Sequence, residues 1–552
     1  MPASLPRLID PLTSAPLPSG APPHPTVHLG DVLLVRGLPG LAQDAPLALL
    51  EQVAAEHGLR VEPENFVADR RVPASETGAP NDAARGPFVR GIGEGIAGRL
   101  RDLTHSRRSA PRGAEVLATL TKNHAEQLDR CWVTRVRLVS DSAPVDAWPI
   151  LQEARRRDPQ VARGLALDHL MQASSPDYQG MPYYVSMPYY VSMPYYVSMP
   201  YYVSMPAGAP PAAQYSQPGS GGRAPVSVVL PDPALRRRSL RRHPLVVVPD
   251  TALGSHAWFT DPAFATDEVH ALGLRLGLGG DVPNVPPPPP RDRLDGSVPS
   301  DAGHATFITG IIRQLCPEAR VQVVPLLDDA GRMPEGVLIQ VLSLLLVRHL
   351  DALDHGPDDD IIDVLSLSLG YYHEDPSDLL EDAPLRQVLD QFGRAGVAVV
   401  TSAGNQSTTE PLFPAAFAPP PGTVLDPGQV PMACVAALNP DRSTVAYFSN
   451  AGPWVSAHRS GAALVSTVPQ TLDGELQAAA GLSDGPLRRS TIDPENFAGG
   501  FATWSGTSFA GPVLAGEIAA CLAADDSLAE RGCDHQLRRG WSAIEQTVGW
   551  KP

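Results

Sequence analysis

The run Ser505-Gly506-Thr507-Ser508-Phe509-Ala510-Gly511-Pro512 sets a serine at the head of an apolar helical pattern that continues through Val513, Leu514, Ile518, Ala519 and Leu522. A helix N-terminus presents unpaired backbone N–H groups and the positive end of the macrodipole, so an oxyanion forming beside Ser508 is stabilised there. The small neighbours let a substrate backbone approach closely. A serine hydroxyl is a weak nucleophile at neutral pH and needs a base, usually histidine, whose ring is oriented by a buried carboxylate. Upstream segments supply both. Leu245-Val246-Val247-Val248-Pro249-Asp250 reads as a buried parallel strand carrying a carboxylate at its C-terminal end, where active sites of α/β sheets form. Gly303–Ile312 places His304 at the opening of an apolar helix. Gly396–Asn405 reads as another buried strand that delivers Asn405 just past its end. Such an amide donates to an oxyanion, an interaction whose loss typically costs about 2.7–4 kcal/mol of barrier lowering.

The order Asp250, His304, Asn405, Ser508, with these flanks, resembles the subtilisin-like serine peptidases over about residues 244–525. The resemblance implies Asp250 as orienting carboxylate, His304 as base and then acid, and Ser508 as nucleophile. Asn405 and the Ser508 N–H would form the oxyanion hole. Val364–Gly370 resembles the strand whose edge pairs with substrate, implying contacts at Ser368, Leu369 and Gly370; Ser402, Ala403 and Gly404 resemble a wall of the primary specificity pocket. The family usually has glycine where this chain has Ala252 and Ala305, so a methyl is added where positive φ or close approach is expected.

At 552 residues the chain exceeds one ordinary domain. A net charge of −17 argues against a nucleic-acid partner. The exception is Arg236–Arg242, which reads as a solvated linker or a processing site. The five cysteines are scattered without metal-ligand spacing; Cys316 and Cys434 read as buried thiols, a usage that fits a reducing compartment. No metal site or cofactor is expected. Structural calcium is compatible with the family, but Asp358-Asp359-Asp360 lacks the alternation of a calcium loop. His256, His270, His355, His373 and His458 read as solvated or packed. Neither a signal-peptide core nor a membrane-spanning run is apparent, so the expectation is a cytoplasmic protein without a membrane partner.

Residues 1–26 are Pro-rich and read as a disordered lead-in. Residues 27–173 read as a separate small α+β domain. Its expected strands are 31–37, 59–62 and 132–139, and its expected helices 45–57, 113–121, 146–157 and 159–171. It occupies the position of the family's propeptide and is expected either to act as an inhibitor of its own catalytic domain or to recruit a partner. Residues 174–243 form a linker with four copies of Met-Pro-Tyr-Tyr-Val-Ser from Met181, where recurrent proline excludes helix and interrupts a ladder. Residues 244–552 form the catalytic domain, expected to be an α/β doubly wound, mainly parallel sheet. It holds a polyproline loop at 286–290 and a polar insertion at about 471–499, a candidate lid. The expected function is a serine endopeptidase that cleaves extended polypeptides through an acyl-enzyme. The alternative is a weakened subtilase fold that binds peptide without turnover. A third reading places the main role in the N-terminal domain and repeat as an interaction scaffold.

Overall fold

A computed structural model describes residues 4–38, 41–63, 128–141, 144–173, 222–272, 274–277, 298–328, 331–375, 383–474, 481–490 and 495–552. The expected helix 113–121, the hexapeptide repeats and the polyproline loop lie outside the described residues.

The N-terminal unit runs β1 (Pro6–Ile9), β2 (Thr26–Arg36), α1 (Asp44–Glu56), β3 (Arg60–Pro63), β4 (Val133–Val139), α2 (Ala147–Arg157) and β5 (Leu165–Ala173). Its strands pair antiparallel in the order β5-β2-β4-β3, with β1 also on β2. Leu50 and Val53 of α1 and Trp148 and Leu151 of α2 pack on Leu33, Val35 and Leu167 of the sheet, so the unit has a core of its own. Asp146 caps α2 by accepting the Trp148 N–H at 3.0 Å, and Arg155, Arg156 and Arg157 sit in its last turn, where cations complement the dipole.

Two expectations are corrected here. From residue 4 the lead-in is packed: β1 joins the sheet, Ile9 and Leu17 are buried, and the Ala15 carbonyl accepts from the Trp148 indole at 2.9 Å. The expected helix 159–171 is instead a short 3-10 turn, Val161–Gly164, followed by β5. Helix and strand readings of such a short apolar run are nearly degenerate, and three flanking strands that need a partner decide it.

The larger domain begins with β6 (Ala224–Pro225), β7 (Leu245–Asp250) and β8 (Ala265–Thr266). It continues through α3 (His304–Leu315), β9 (Arg320–Pro325), β10 (Arg332–Pro334), α4 (Glu335–Asp354), β11 (Val364–Leu367), β12 (Leu369–Tyr372) and α5 (Pro384–Arg394). Then follow β13 (Ala398–Ser402), β14 (Leu412–Phe413), β15 (Ala433–Leu438), β16 (Val455–Ser460), β17 (Leu464–Thr467), β18 (Phe501–Trp504), α6 (Thr507–Ala523) and α7 (Cys533–Val548). Seven strands form a parallel sheet in the order β16-β15-β13-β11-β7-β9-β8. Every residue of β7 is buried, as a strand covered on both faces must be. Val246, Val248 and Val400 face α3 and α6, whereas Val247, Leu365 and Val399 face α4 and α5. That division is the doubly wound α/β architecture. The chain leaves β7 for β9 on one side and later returns to β11 on the other, so the C-terminal end of β7 lies at the switch point where sites form.

The helix α4 is long and apolar enough to cross a membrane, but 89% of its apolar window is buried inside the protein. It packs under the N-terminal unit, where Gln340 donates to the Val133 carbonyl at 3.0 Å. The N-terminal sheet does not stop at its own edge: β5 pairs antiparallel with both β10 and β12. The linker expected to reach residue 243 is packed from residue 222 onward. Arg223 lies over the Trp504 ring at 4.7 Å, and Arg242 forms a buried two-bond pair with Asp363 at 2.7 and 2.6 Å. Of the arginine cluster, Arg238 also pairs with Glu318 at 2.6 Å, while Arg236, Arg238 and Arg241 remain exposed, so the run is solvated over much of its length and anchored through Arg242. The carboxylates of Asp358, Asp359 and Asp360 face Arg531, Arg320 and Arg348. In the polar insertion, residues 481–484 and 487–490 form a hairpin, while Leu472 and Phe497 at its ends are buried in the core.

Candidate active site

Asp250 ends β7, and His304 opens α3. The His304 Nδ1 meets both Asp250 oxygens at 2.9 Å. Gly303, at φ +83°, makes the left-handed turn that starts α3, a conformation glycine adopts without steric cost. No side chain of α3 itself caps this helix. Instead Thr251 reaches across: its Oγ accepts the Ala305 N–H at 3.0 Å and lies 3.2 Å from Asp250 Oδ1, which also accepts the Thr251 N–H at 2.7 Å. One threonine thus fixes the helix to the strand and the carboxylate to the helix. The motif reading missed Thr251, although a hydroxyl directly after the aspartate was a visible signal.

Ser508 lies in the first turn of α6, which also lacks a cap of its own. Asn405, delivered after β13, caps it from outside: its Oδ1 accepts the Thr507 N–H and hydroxyl, both at 2.9 Å. The Thr507 Oγ in turn accepts the Gly404 N–H at 3.1 Å. Gly404 has φ +103°, and a Cβ there would meet the Asn450 amide at 2.3 Å. These bonds fix the Asn405 amide plane, with its NH2 as the donating side. Thr507 is the second residue the motif reading missed.

Pro512 has no N–H for the carbonyl four residues earlier, so the Ser508 carbonyl loses its helical partner. The Ser368 hydroxyl donates to it at 2.9 Å, and Ser402 Oγ lies 3.5 Å from Ser368 Oγ. Ser368 therefore supports the Ser508 backbone with its side chain, and Ser402 supports Ser368. Ser368→Ala is expected to leave a buried carbonyl unpaired. That costs roughly 1–3 kcal/mol of stability and lowers kcat more than it raises KM; chemical denaturation with steady-state kinetics checks both. Leu369 and Gly370 pair with Ala173 and Gln172 of β5. Ala403 is buried, its N–H on the Val435 carbonyl at 3.0 Å.

The His304 ring also contacts Phe509 and Trp504, at centroid distances of 5.3 and 5.7 Å, which brings α3 and α6 together beside Ser508. Asp250, His304 and Ser508 are all 0% exposed. The His304 Nε2 is buried and has no hydrogen-bond partner among the described residues. Burial pulls the His304 pKa down, but the charge of Asp250 and its hydrogen bond outweigh that and raise it above the ordinary value. Neither Ala252 nor Ala305 has positive φ, so both methyls sit on ordinary backbone. Burial pushes the thiols of Cys131, Cys316 and Cys434 up to about 12, away from reactivity.

Residues 293–540 match the model of the Subtilase family. Asp250 precedes that segment. The subtilisin-like protease het-Q2 of Podospora anserina is 32% identical over 126 residues, which are 23% of this chain and 30% of that protein. Among solved structures, a lanthipeptide protease is 18% identical with a TM-score of 0.35, covering 54% of this chain and 79% of the other. A cold adapted subtilisin-like serine proteinase is 17% identical with a TM-score of 0.31, covering 53% and 79%. Residues 293–540, which include His304, Asn405 and Ser508 and most of the parallel sheet, are thus similar to the subtilase family.

Proposed function

We propose that the chain is an active serine endopeptidase with Asp250, His304 and Ser508 as its triad. The supporting observation is the Asp250–His304 contact. With Nδ1 held by both carboxylate oxygens, Nε2 is the nitrogen left to accept a proton, on a helix packed against the one bearing Ser508. Apo active sites often hold such bonds loosely until substrate arrives. A peptide would lie extended beside Leu369 and Gly370. Ser508 Oγ attacks the scissile carbonyl carbon as its proton passes to His304 Nε2, and the carbonyl π pair moves onto oxygen. The Asn405 NH2 and the Ser508 N–H stabilise that oxyanion. Collapse restores the carbonyl, breaks the C–N bond and takes the proton from His304 to the leaving amine. Water, deprotonated by His304, then attacks the acyl-enzyme; collapse breaks the acyl C–Oγ bond, His304 returns the proton to Ser508 Oγ, and the acid product leaves.

The N-terminal unit acts in this reading as a tethered inhibitor. Gln172 and Ala173 pair with Gly370 and Leu369, the edge expected to take substrate, and the triad is closed to solvent. Tethering makes this contact intramolecular, so a weakly complementary strand suffices. Gln172→Pro tests it, because proline removes a ladder N–H while leaving the unit's core intact. Loss of a bond worth about 1 kcal/mol predicts roughly fivefold faster turnover of a small peptide. A fluorophosphonate probe should label the chain through Ser508, faster in Gln172→Pro and not at all in Ser508→Ala. Equal labelling rates would remove the inhibitor role. Failure of both forms to label or cleave would leave a peptide-binding module.

A further inference from the structure

We propose that His169, His373 and Glu374 form a zinc-class divalent-cation site at the seam between the N-terminal unit and the catalytic domain. The three residues are buried, and one ligand atom from each lies within 4.8 Å of the others. His169 comes from β5, whereas His373 and Glu374 follow directly after β12. Glu374 Oε2 lies 2.8 Å from His169 Nε2 and 3.3 Å from His373 Nε2. A tetrahedral zinc with bonds of about 2.0–2.1 Å holds its ligand atoms roughly 3.3–3.4 Å apart. The His373–Glu374 edge already has that length; the His169–Glu374 edge must open by about 0.5 Å.

The surroundings match what a metal-binding histidine needs. A ligating imidazole almost always gives its other N–H to a carboxylate or a backbone carbonyl, which fixes tautomer and ring plane. His169 Nδ1 lies 2.7 Å from Glu335 Oε2; His373 Nδ1 lies 3.0 Å from the Asp375 carbonyl and 3.1 Å from the Asp375 N–H, and a metal on Nε2 selects the tautomer whose Nδ1–H donates to the carbonyl. Tyr371 stacks on the His169 ring at 4.3 Å, and Arg155 holds the other oxygen of Glu374 at 3.2 Å. Two imidazoles and one carboxylate suit zinc; calcium and magnesium prefer all-oxygen sets. Water completes the coordination. Without a cation, the His169 Nε2–H donates a hydrogen bond to Glu374; zinc takes the place of that proton, which is released to solvent. The bound ion would then join β5 to the strand end that follows the substrate edge.

The test uses the full chain carrying Ser508→Ala, so that self-cleavage cannot remove the N-terminal unit. Metal-free protein is titrated with cobalt(II), read by its visible d–d absorption, and then with zinc in competition. The expected result is one equivalent with tetrahedral cobalt bands, bleached by zinc. Binding should weaken at least 100-fold in His169→Gln and in His373→Gln, and 10–100-fold in Glu335→Gln, the usual effect of losing an outer partner. Should His169→Gln fail to fold, His373→Gln carries the comparison, since its ring lies outside the β5 ladder. A folded chain that gives no cobalt bands, or binding that survives both histidine changes, overturns the site. The cluster would then be a metal-free imidazolium held between two glutamates.

Discussion

Ser508→Ala and His304→Ala should each lower kcat by about a millionfold, a figure that comes from subtilisin itself and not from this chain. The double variant should be no worse than either single one. The physical reason is shared dependence: without Nε2 as acceptor the hydroxyl keeps its proton, and without the hydroxyl the base has no proton to take. Residual turnover would come from the oxyanion donors Asn405 and the Ser508 N–H, which both changes leave in place. Single-turnover kinetics with an activated ester measures this directly. A double variant far slower than either single variant would show that the two residues act in separate steps.

Asp250→Asn is expected to lower kcat by about 10,000-fold, the size seen for the equivalent change in another serine protease, because the amide favours the wrong imidazole tautomer. Its pH dependence is the more specific signature. The catalytic form of His304 is neutral, so kcat/KM falls as pH drops through its pKa. In the native protein, burial lowers that pKa but Asp250 raises it further, so the acid limb should lie above the ordinary value of 6.5. In Asp250→Asn the larger raising influence goes, the smaller one of Asp301 stays, and burial, the largest influence, remains. The acid limb should therefore move below 6.5, even though the plateau rate has collapsed. An unmoved limb would mean that the titration belongs to another group.

The sequence by itself pointed to the candidate site residues and to the elements that carry them. Asp250, His304, Asn405 and Ser508 each stand at the end of a strand or the start of a helix whose apolar pattern is local, and local patterns survive in a linear reading. The parallel sheet followed from the same runs, since Leu245–Val248 and Val397–Val400 are apolar without alternation. Tertiary structure decided how the parts are held. Helices α3 and α6 borrow their caps from distant strand ends, through Thr251 and Asn405, and nothing local marks a bond that spans 54 or 102 residues. The Ser368 hydroxyl donates to the Ser508 carbonyl, 140 residues away, a contact that no local pattern marks.

The same reason explains the misread segments. Leu165–Ala173 has residues that suit either period, and the free edges of β2, β10 and β12 made it a strand. Pro6–Ile9 looked too Pro-rich to fold, but an unpaired edge of β2 gave its backbone partners. Arg242 looked solvated until Asp363, 121 residues on, supplied the opposite charge in a buried site. Hydrophobic periodicity is written residue by residue along the chain. Caps, strand edges and buried ion pairs depend on which segments meet, and that is fixed only when the chain closes on itself.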